Sequence, residues 1–418
     1  MTTRLSTNSS GRITEVMKSI IILGDGMADY PIEGLGNKTP LQAAHKPYMD
    51  ELAKLGRCGM YKTVPDDMPP GSEVANLAVL GYDVRKVYQG RGVLEGAAMG
   101  VQLDSDDLAM RCNLICLEDG MIKNHSAGHI STEESHILIE ALNEAFADEK
   151  QRFFPGVSYR HLFVLKKGNP HIHLTPPHDV PGTPWRDVLP KAASSDGTTT
   201  SDLLTDLIIR SQKVLAEHSI NLNRIKKGKD PANSIWFWSA GKRPQMQTYQ
   251  EMFQKTGAVI SAVDLLHGIG VYAGFRILRV KGATGLYDTN YEGKVQAALD
   301  AIKQVDLVYL HIEAADEAGH EGNAELKTRC IEALDARVVK PIMEFVKEYH
   351  EPIAIALLPD HPTPCSVRSH VHDPVPFVIY KPGDKPDAVT QYDEDACQHG
   401  SYGLIKNGEF IRELFGLR

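Results

Sequence analysis

Three runs of β-branched and other apolar residues each end on an acid or an imidazole. They are MKSIIILGDG (17–26), DLVYLHIEAAD (306–316) and PIAIALLPDH (352–361), and PVPFVIYKPG (374–383) follows them. Continuous apolar runs, rather than alternating ones, read as strands buried on both faces, as in a parallel sheet. Helical patterns lie between and beside them at 39–56, 290–305 and 323–349. This alternation predicts an α/β fold built on a doubly wound sheet. From about 98 to about 282 the pattern is more mixed, with LAMRCNLICLEDG, YRHLFVLKKG, SIWFWSAG and GAVISAVDLL separated by links such as TPPHDVPGTPWRDVLP. We read 98–282 as a second α/β domain, inserted into a discontinuous first domain of 17–97 and 283–418. No internal repeat or low-complexity block is visible.

At 418 residues the chain exceeds what one hydrophobic core usually organises, which agrees with two domains. Its 45 Lys+Arg against 54 Asp+Glu give a net charge of −9. That balance disfavours nucleic acid as a partner, and a small acidic substrate would need a local basic pocket. No apolar window is long enough for a transmembrane helix. The opening stretch MTTRLSTNSSGRITEVM lacks the apolar region of a secretory signal and reads as a frayed tail upstream of a start near Met17. Six cysteines without a C-x-x-C pair suggest neither a disulfide framework nor a zinc knuckle, so a reduced, cytoplasmic setting is expected.

Candidate chemistry sits at the ends of the apolar runs. Asp25 closes the first, Asp316 and His320 follow the second, Asp360 and His361 close the third, and His370 comes nine residues later. The carboxyl ends of parallel strands share one edge, where ligand sites gather. Alone, each residue is ordinarily a helix cap, a turn residue or a surface coincidence. Together at three successive strand ends they read as a cluster. Asp316 and His320, four apart, share a face if a helical turn begins there. Three carboxylates and three imidazoles suit two divalent cations. Two ions roughly 4 Å apart favour displacement at phosphorus by stabilising attacking and leaving oxygens. Ser72 is the candidate nucleophile: Pro69-Pro70-Gly71 precedes it and the apolar run EVANLAVLG follows, so it would open a helix, where N–H groups favour a phosphoryl group. The glycine-rich GRGVLEG (90–96) and GIGVYAG (268–274) have one residue too many for a dinucleotide fingerprint, and no P-loop, G-x-S-x-G or H-E-x-x-H occurs.

The pieces GDGMAD, PPGSEVANLAVLGYD, GRGVLEGAAMG, AMRCNLI, SAGHISTEE, EAADEAGHEGN and the DHPTP…H…DPVPF run together resemble the archaeal-type cofactor-independent phosphoglycerate mutases of the alkaline phosphatase superfamily. The likeness runs from about residue 17 to the C-terminus. It implies an alkaline-phosphatase-like catalytic domain, an inserted substrate-binding domain, and two divalent ions (Mn, Mg or Zn), with no bisphosphoglycerate. By the family pattern Asp25, Ser72, Asp360 and His361 would hold one ion, and Asp316, His320 and His370 the other, with His372 the less fitting histidine of SHVHDP. Ser72 would carry the phosphoryl group between the two hydroxyls of glycerate, interconverting 3- and 2-phosphoglycerate in glycolysis and gluconeogenesis. Candidate substrate contacts in the inserted domain are His129, Arg160, His161 and Asp179, with His125, His178, Arg91 and Lys281 behind them. The same site could serve a homoserine kinase or a phosphomonoester or phosphonate hydrolase. A non-catalytic metal-stabilised binding protein is disfavoured, because it would need no open coordination position.

Overall fold

The computed structural model describes residues 5–7, 13–15 and 17–417. The stretch read as an N-terminal tail falls largely outside them. An eight-stranded sheet organises the first and last parts of the chain. Its strands are β1 (Lys18–Gly24), β2 (Arg57–Lys62), β3 (Gly257–Ile260), β4 (Arg276–Leu278), β5 (Leu307–Ile312), β6 (Ile353–Leu358), β7 (Val375–Tyr380) and β8 (Gly403–Lys406). The order across the sheet is β4-β3-β5-β1-β6-β7-β2-β8. The five strands from β4 to β6 run parallel. Ile20, Ile21, Ile22 and Leu23 of β1 are all fully buried, as the continuous apolar run predicts.

The run at 374–383 departs from the expectation of a parallel strand. β7 pairs antiparallel with both β6 and β2. The link from β6 to β7 carries no helix, so the chain turns back rather than crossing over, and a parallel partner needs a crossover.

Helices cover the sheet. The predicted 39–56 helix is broken at Pro47, leaving a short turn and α1 (Pro47–Leu55). Next come α2 (Ser72–Val79), α3 (Tyr291–Ile302), α4 (Ala314–Glu321) and α5 (Ala324–Leu334). One core joins Ile20 and Ile22 of β1, Val308 and Leu310 of β5, and Ile355 and Leu357 of β6 to Leu52, Ala298 and Ile331 of the helices. Each Ile, Leu or Val among them contributes roughly 1.5–3 kcal/mol by leaving water.

The chain divides into two units, residues 1–88 with 246–418, and residues 89–245. The insertion is thus shifted from the expected 98–282. At its start, the helix Arg91–Ala98 belongs to the inserted unit because it packs on that unit's own sheet: a side chain on Gly92 would strike the Ser239 carbonyl at 2.7 Å, and one on Gly96 would strike Leu162 at 2.9 Å. These glycines serve close packing within that unit. At its end, the GAVI run is β3 of the large sheet, paired with β5.

Within residues 89–245 an antiparallel sheet runs Ser234–Lys242, Leu108–Glu118, Arg160–Leu165, Gln151–Val157, with Met121–Asn124 paired to the long second strand. Leu138 and Leu142 of the helix Thr132–Phe146 and Leu204 and Ile208 of the helix Thr198–Ala216 pack with Phe153, Phe163 and Phe237 in its core.

Candidate metal centre and nucleophile

Register places the chemistry. Gly24 pairs with Ile312 and Leu23 with Leu358, so the residues that follow β1, β5 and β6 leave the sheet at one edge. Asp25 donates its backbone N–H to Ile312 at 2.9 Å and is buried. Asp360 and His361 are fully buried. One ligand atom from each of Asp25, Asp360 and His361 falls within 4.8 Å of the others, and so does one from each of Asp316, His320 and His370. All six expected residues therefore gather into two groups of three.

The first group includes the expected hydroxyl. Ser72 opens α2, preceded by an extended Gly71 that offers no side-chain cap. Its Oγ lies 3.1 Å from His361 Nε2, which lies 3.6 Å from Asp25 Oδ1 and 3.5 Å from Asp360 Oδ2. Burial, reinforced by the charges of Asp360 and Asp316, pushes the Asp25 carboxyl well above the ordinary carboxylate range. Its Oδ2 meets His311 Nε2 at 2.9 Å, while Oδ1 is buried without a hydrogen-bond partner. A buried orphan oxygen among clustered carboxylates is what a cation would satisfy.

The second group is assembled on α4. Asp316 and His320, one turn apart, meet at 3.2 Å, and His370 reaches Asp316 at 3.5 Å. Against the effect of burial, hydrogen bonds from His320 and His370 hold Asp316 well below its usual value. The Asp316 hydrogen bond in turn pushes His320 up to about 9. The Nε2 atoms of His320 and His370 approach to 3.0 Å, a separation that needs a proton or a cation between two imidazole nitrogens. His320 Nδ1 donates to the Arg368 carbonyl at 3.1 Å, which leaves Nε2 as the nitrogen that could hold a cation. The His361 and His370 rings stand 4.0 Å apart, joining the two groups. His372 lies apart, its Nε2 2.8 Å from the Met68 carbonyl. The donor set of carboxylate oxygen and imidazole nitrogen fits divalent metal ions.

Several supporting residues were not singled out from sequence. Thr363 donates to Asp316 at 2.5 Å and stands 3.3 Å from His361 Nδ1, touching both groups. His311 sits in a strand of otherwise apolar side chains between Asp25 and Ser261, and burial pushes it down to about 3. A histidine inside a continuous apolar run was the available signal. Asn76, a lone polar residue in the buried SEVANLAV run, was another.

In the inserted unit the expected contacts separate. His129 is exposed, in a loop where Ala127, Gly128 and His129 all take positive φ (49°, 62° and 52°). Non-glycine residues there cost of order 1–3 kcal/mol each, offset here by Arg224, which donates to the Ala127 carbonyl at 2.6 Å. Asp179 is exposed beside His178 at 3.6 Å. Arg160 is exposed, 5.7 Å from the Tyr159 ring. His161 departs from expectation: it is buried, its Nδ1 accepts from the Gly156 N–H at 3.0 Å, and burial pushes it down to about 3. With Nδ1 accepting, the neutral ring carries its proton on Nε2, which is buried without a hydrogen-bond partner. The structure adds Arg111, which sequence reading passed over because it lies inside an apolar strand. Its guanidinium covers the Trp238 ring at 4.2 Å and meets Glu95 at 2.9 Å, which also meets Arg91 at 2.9 Å. Burial, with Arg91 and Arg160 adding repulsion against the pull of Glu95, lowers Arg111 to about 10. His178 packs on Trp238 at 4.9 Å and on His125 at 6.0 Å. Arg91, Arg111 and Arg160 thus make a local basic cluster in an acidic chain.

A family model described as 2,3-bisphosphoglycerate-independent phosphoglycerate mutase matches residues 53–221. A protein of that name from Methanosarcina mazei is 52% identical over 398 residues, covering 94% of this chain and 98% of its own. A solved Pyrococcus horikoshii structure superposes with a TM-score of 0.81 at 29% identity, covering 96% of this chain and 97% of that one. The cofactor-independent phosphoglycerate mutase of Thermoplasma acidophilum superposes with a TM-score of 0.70 at 27% identity, covering 96% and 99%.

Proposed function

Because the chain belongs to the family of 2,3-bisphosphoglycerate-independent phosphoglycerate mutases, we propose that it interconverts 3- and 2-phosphoglycerate through a phosphoserine at Ser72. The observation that carries this reading is the Ser72 hydroxyl at the start of α2, 3.1 Å from His361 and beside two groups of metal-capable side chains.

Asp25, Ser72, Asp360 and His361 would hold one divalent ion, and Asp316, His320 and His370 the other. The ions would neutralise phosphoryl charge and favour the ionised serine. Ser72 Oγ forms a bond to phosphorus as the ester oxygen of 3-phosphoglycerate leaves, giving phosphoserine and glycerate. Glycerate turns in place, its 2-hydroxyl forms the new bond to phosphorus, and Ser72 is released. No bisphosphoglycerate enters, since the phosphoryl group is stored on the protein. The N–H groups at the first turn of α2 favour the phosphoryl oxygens. The substrate carboxylate falls to the cations of the inserted unit, Arg160 and Arg111 before the histidines, because a guanidinium matches a carboxylate fork. His129 and Asp179 are candidates for its hydroxyls.

The experiment is a coupled assay on the Mn²⁺-loaded protein with 3-phosphoglycerate and no bisphosphoglycerate. It is paired with mass spectrometry of acid-quenched protein for phosphate on Ser72. 2-Phosphoglycerate and a Ser72 adduct are expected, with both lost in Ser72→Ala and substrate binding retained. Full activity in Ser72→Ala would remove the serine from the reaction. ATP-dependent phosphorylation of homoserine, or free phosphate from several esters, would replace the mutase reading.

A further inference from the structure

Asn76 stands one turn after Ser72 in α2 and is fully buried among Val74, Ala75, Leu77 and Val79. A buried primary amide is costly unless its groups are satisfied. Here the amide is used on both ends. Its Nδ2 donates to the Ser72 carbonyl at 2.8 Å and to Asp360 Oδ2 at 2.8 Å. Its Oδ1 accepts from the Tyr309 hydroxyl at 2.5 Å.

Asp360 decides the orientation. Its carboxylate only accepts, so the amide nitrogen faces Asp360 and the oxygen faces the hydroxyl of Tyr309 on β5, which donates to it. The reversed amide would set an oxygen against a carboxylate. The other oxygen of Asp360 accepts from the backbone N–H groups of His361 at 3.0 Å and Gly26 at 3.3 Å. The carboxylate is therefore gripped on both sides. The side chain that grips Oδ2 also holds the first turn of α2.

We propose that Asn76 is a positioning residue, locked by Tyr309, that sets the Ser72 hydroxyl and the Asp360 carboxylate at the spacing a shared cation needs. The link joins residues 284 apart in the chain. It rests on the reading that Ser72 and Asp360 hold one ion. It adds that their relative position is determined by an amide that touches neither substrate nor ion.

The test uses the full-length chain stripped of metal and titrated with Mn²⁺ alone by calorimetry, together with kcat and KM measured separately and a thermal midpoint. Asn76→Leu removes every hydrogen bond at similar volume, and Tyr309→Phe removes only the lock. We expect Mn²⁺ binding at one of two sites to weaken about 10–100-fold in Asn76→Leu, with a smaller loss in Tyr309→Phe. We expect kcat to fall and KM to hold. A merely structural role would lower the thermal midpoint and leave Mn²⁺ binding and kcat at wild-type values, which overturns the proposal. If Asn76→Leu fails to fold, wild-type Mn²⁺ affinity and kcat in Tyr309→Phe overturn it. Asp360→Asn separates the two readings. Unchanged Mn²⁺ binding in that variant defeats the ligand assignment and the proposal with it. Weakened binding there, beside unchanged binding in the Asn76 and Tyr309 variants, defeats the proposal alone.

Discussion

Lys327 has no exposed side-chain surface, and its ammonium meets the Ala28 carbonyl at 3.0 Å, the Asp29 carboxylate at 2.8 Å and the Thr363 carbonyl at 2.9 Å. One cation thereby ties the loops after β1 and β6 to α5. Lys327→Met would leave the buried Asp29 without its cation. Removing one partner of a buried pair costs about 3–5 kcal/mol, so the denaturant midpoint should fall accordingly. Glu394 makes a second residue-scale case. Its carboxylate accepts from the Asp29 N–H at 3.1 Å and the Thr39 hydroxyl at 2.7 Å, yet burial pushes it up to about 7. A raised folded-state value means that the neutral form suits the fold. The stability from Glu394 is complete below its ordinary value near 4.5 and is lost as pH rises through 7. Glu394→Gln should match the parent at pH 4.5 and exceed it at pH 8 by roughly 2–3 kcal/mol, read from denaturation at both values. Equal stabilities at pH 8 would contradict this.

Between elements, a close approach at the candidate metal centre falls at Gly26, whose φ is +62°. A Cβ there would lie 2.6 Å from Asp316 Oδ1 and 2.7 Å from Thr363 Oγ1, so the turn after β1 leaves no room where it meets α4 and the loop after β6. Gly26→Ala combines a strained backbone with a clash, and should weaken Mn²⁺ binding measured by calorimetry about tenfold or more. Unaltered affinity would show that the loops can part without cost. The strand ends themselves were legible, because β1, β5 and β6 are built on near-continuous apolar runs and the residue that stops each run is polar. Asp25, Asp316, His320, Asp360, His361 and His370 could be placed together from sequence because parallel strands share an edge. The antiparallel course of β7 was not legible, since an apolar run carries no direction. Nor was the membership of β3, a four-residue run that either sheet could have taken. Asn76, Thr363 and Lys327 act through partners hundreds or tens of residues away, so no local pattern announces them. Arg111 looked like an interruption in a strand.

At the scale of the whole molecule, the two candidate ligand groups crowd three carboxylates and three imidazoles into one place. Bound ions should therefore stabilise the fold as well as enable the reaction. An ion held at about 100 times its Kd adds about 2.7 kcal/mol, so a chelator should lower the thermal midpoint by several degrees and Mn²⁺ should restore it. A midpoint indifferent to chelator would argue that the two groups bind nothing. Among the described residues no helix is long and apolar enough to cross a membrane.

The place of β1 in the sheet has a consequence for how the molecule is made. It is translated first among the large sheet's strands, yet both its neighbours, β5 and β6, lie about 300 residues later. A ribosome adding 5–20 residues per second holds that strand with two bare edges for roughly 15–60 seconds. During that interval the insertion can already close on itself, whereas the isoleucine-rich ribbon ahead of it must stay sheltered by the ribosome, by chaperones or by its own slow partners.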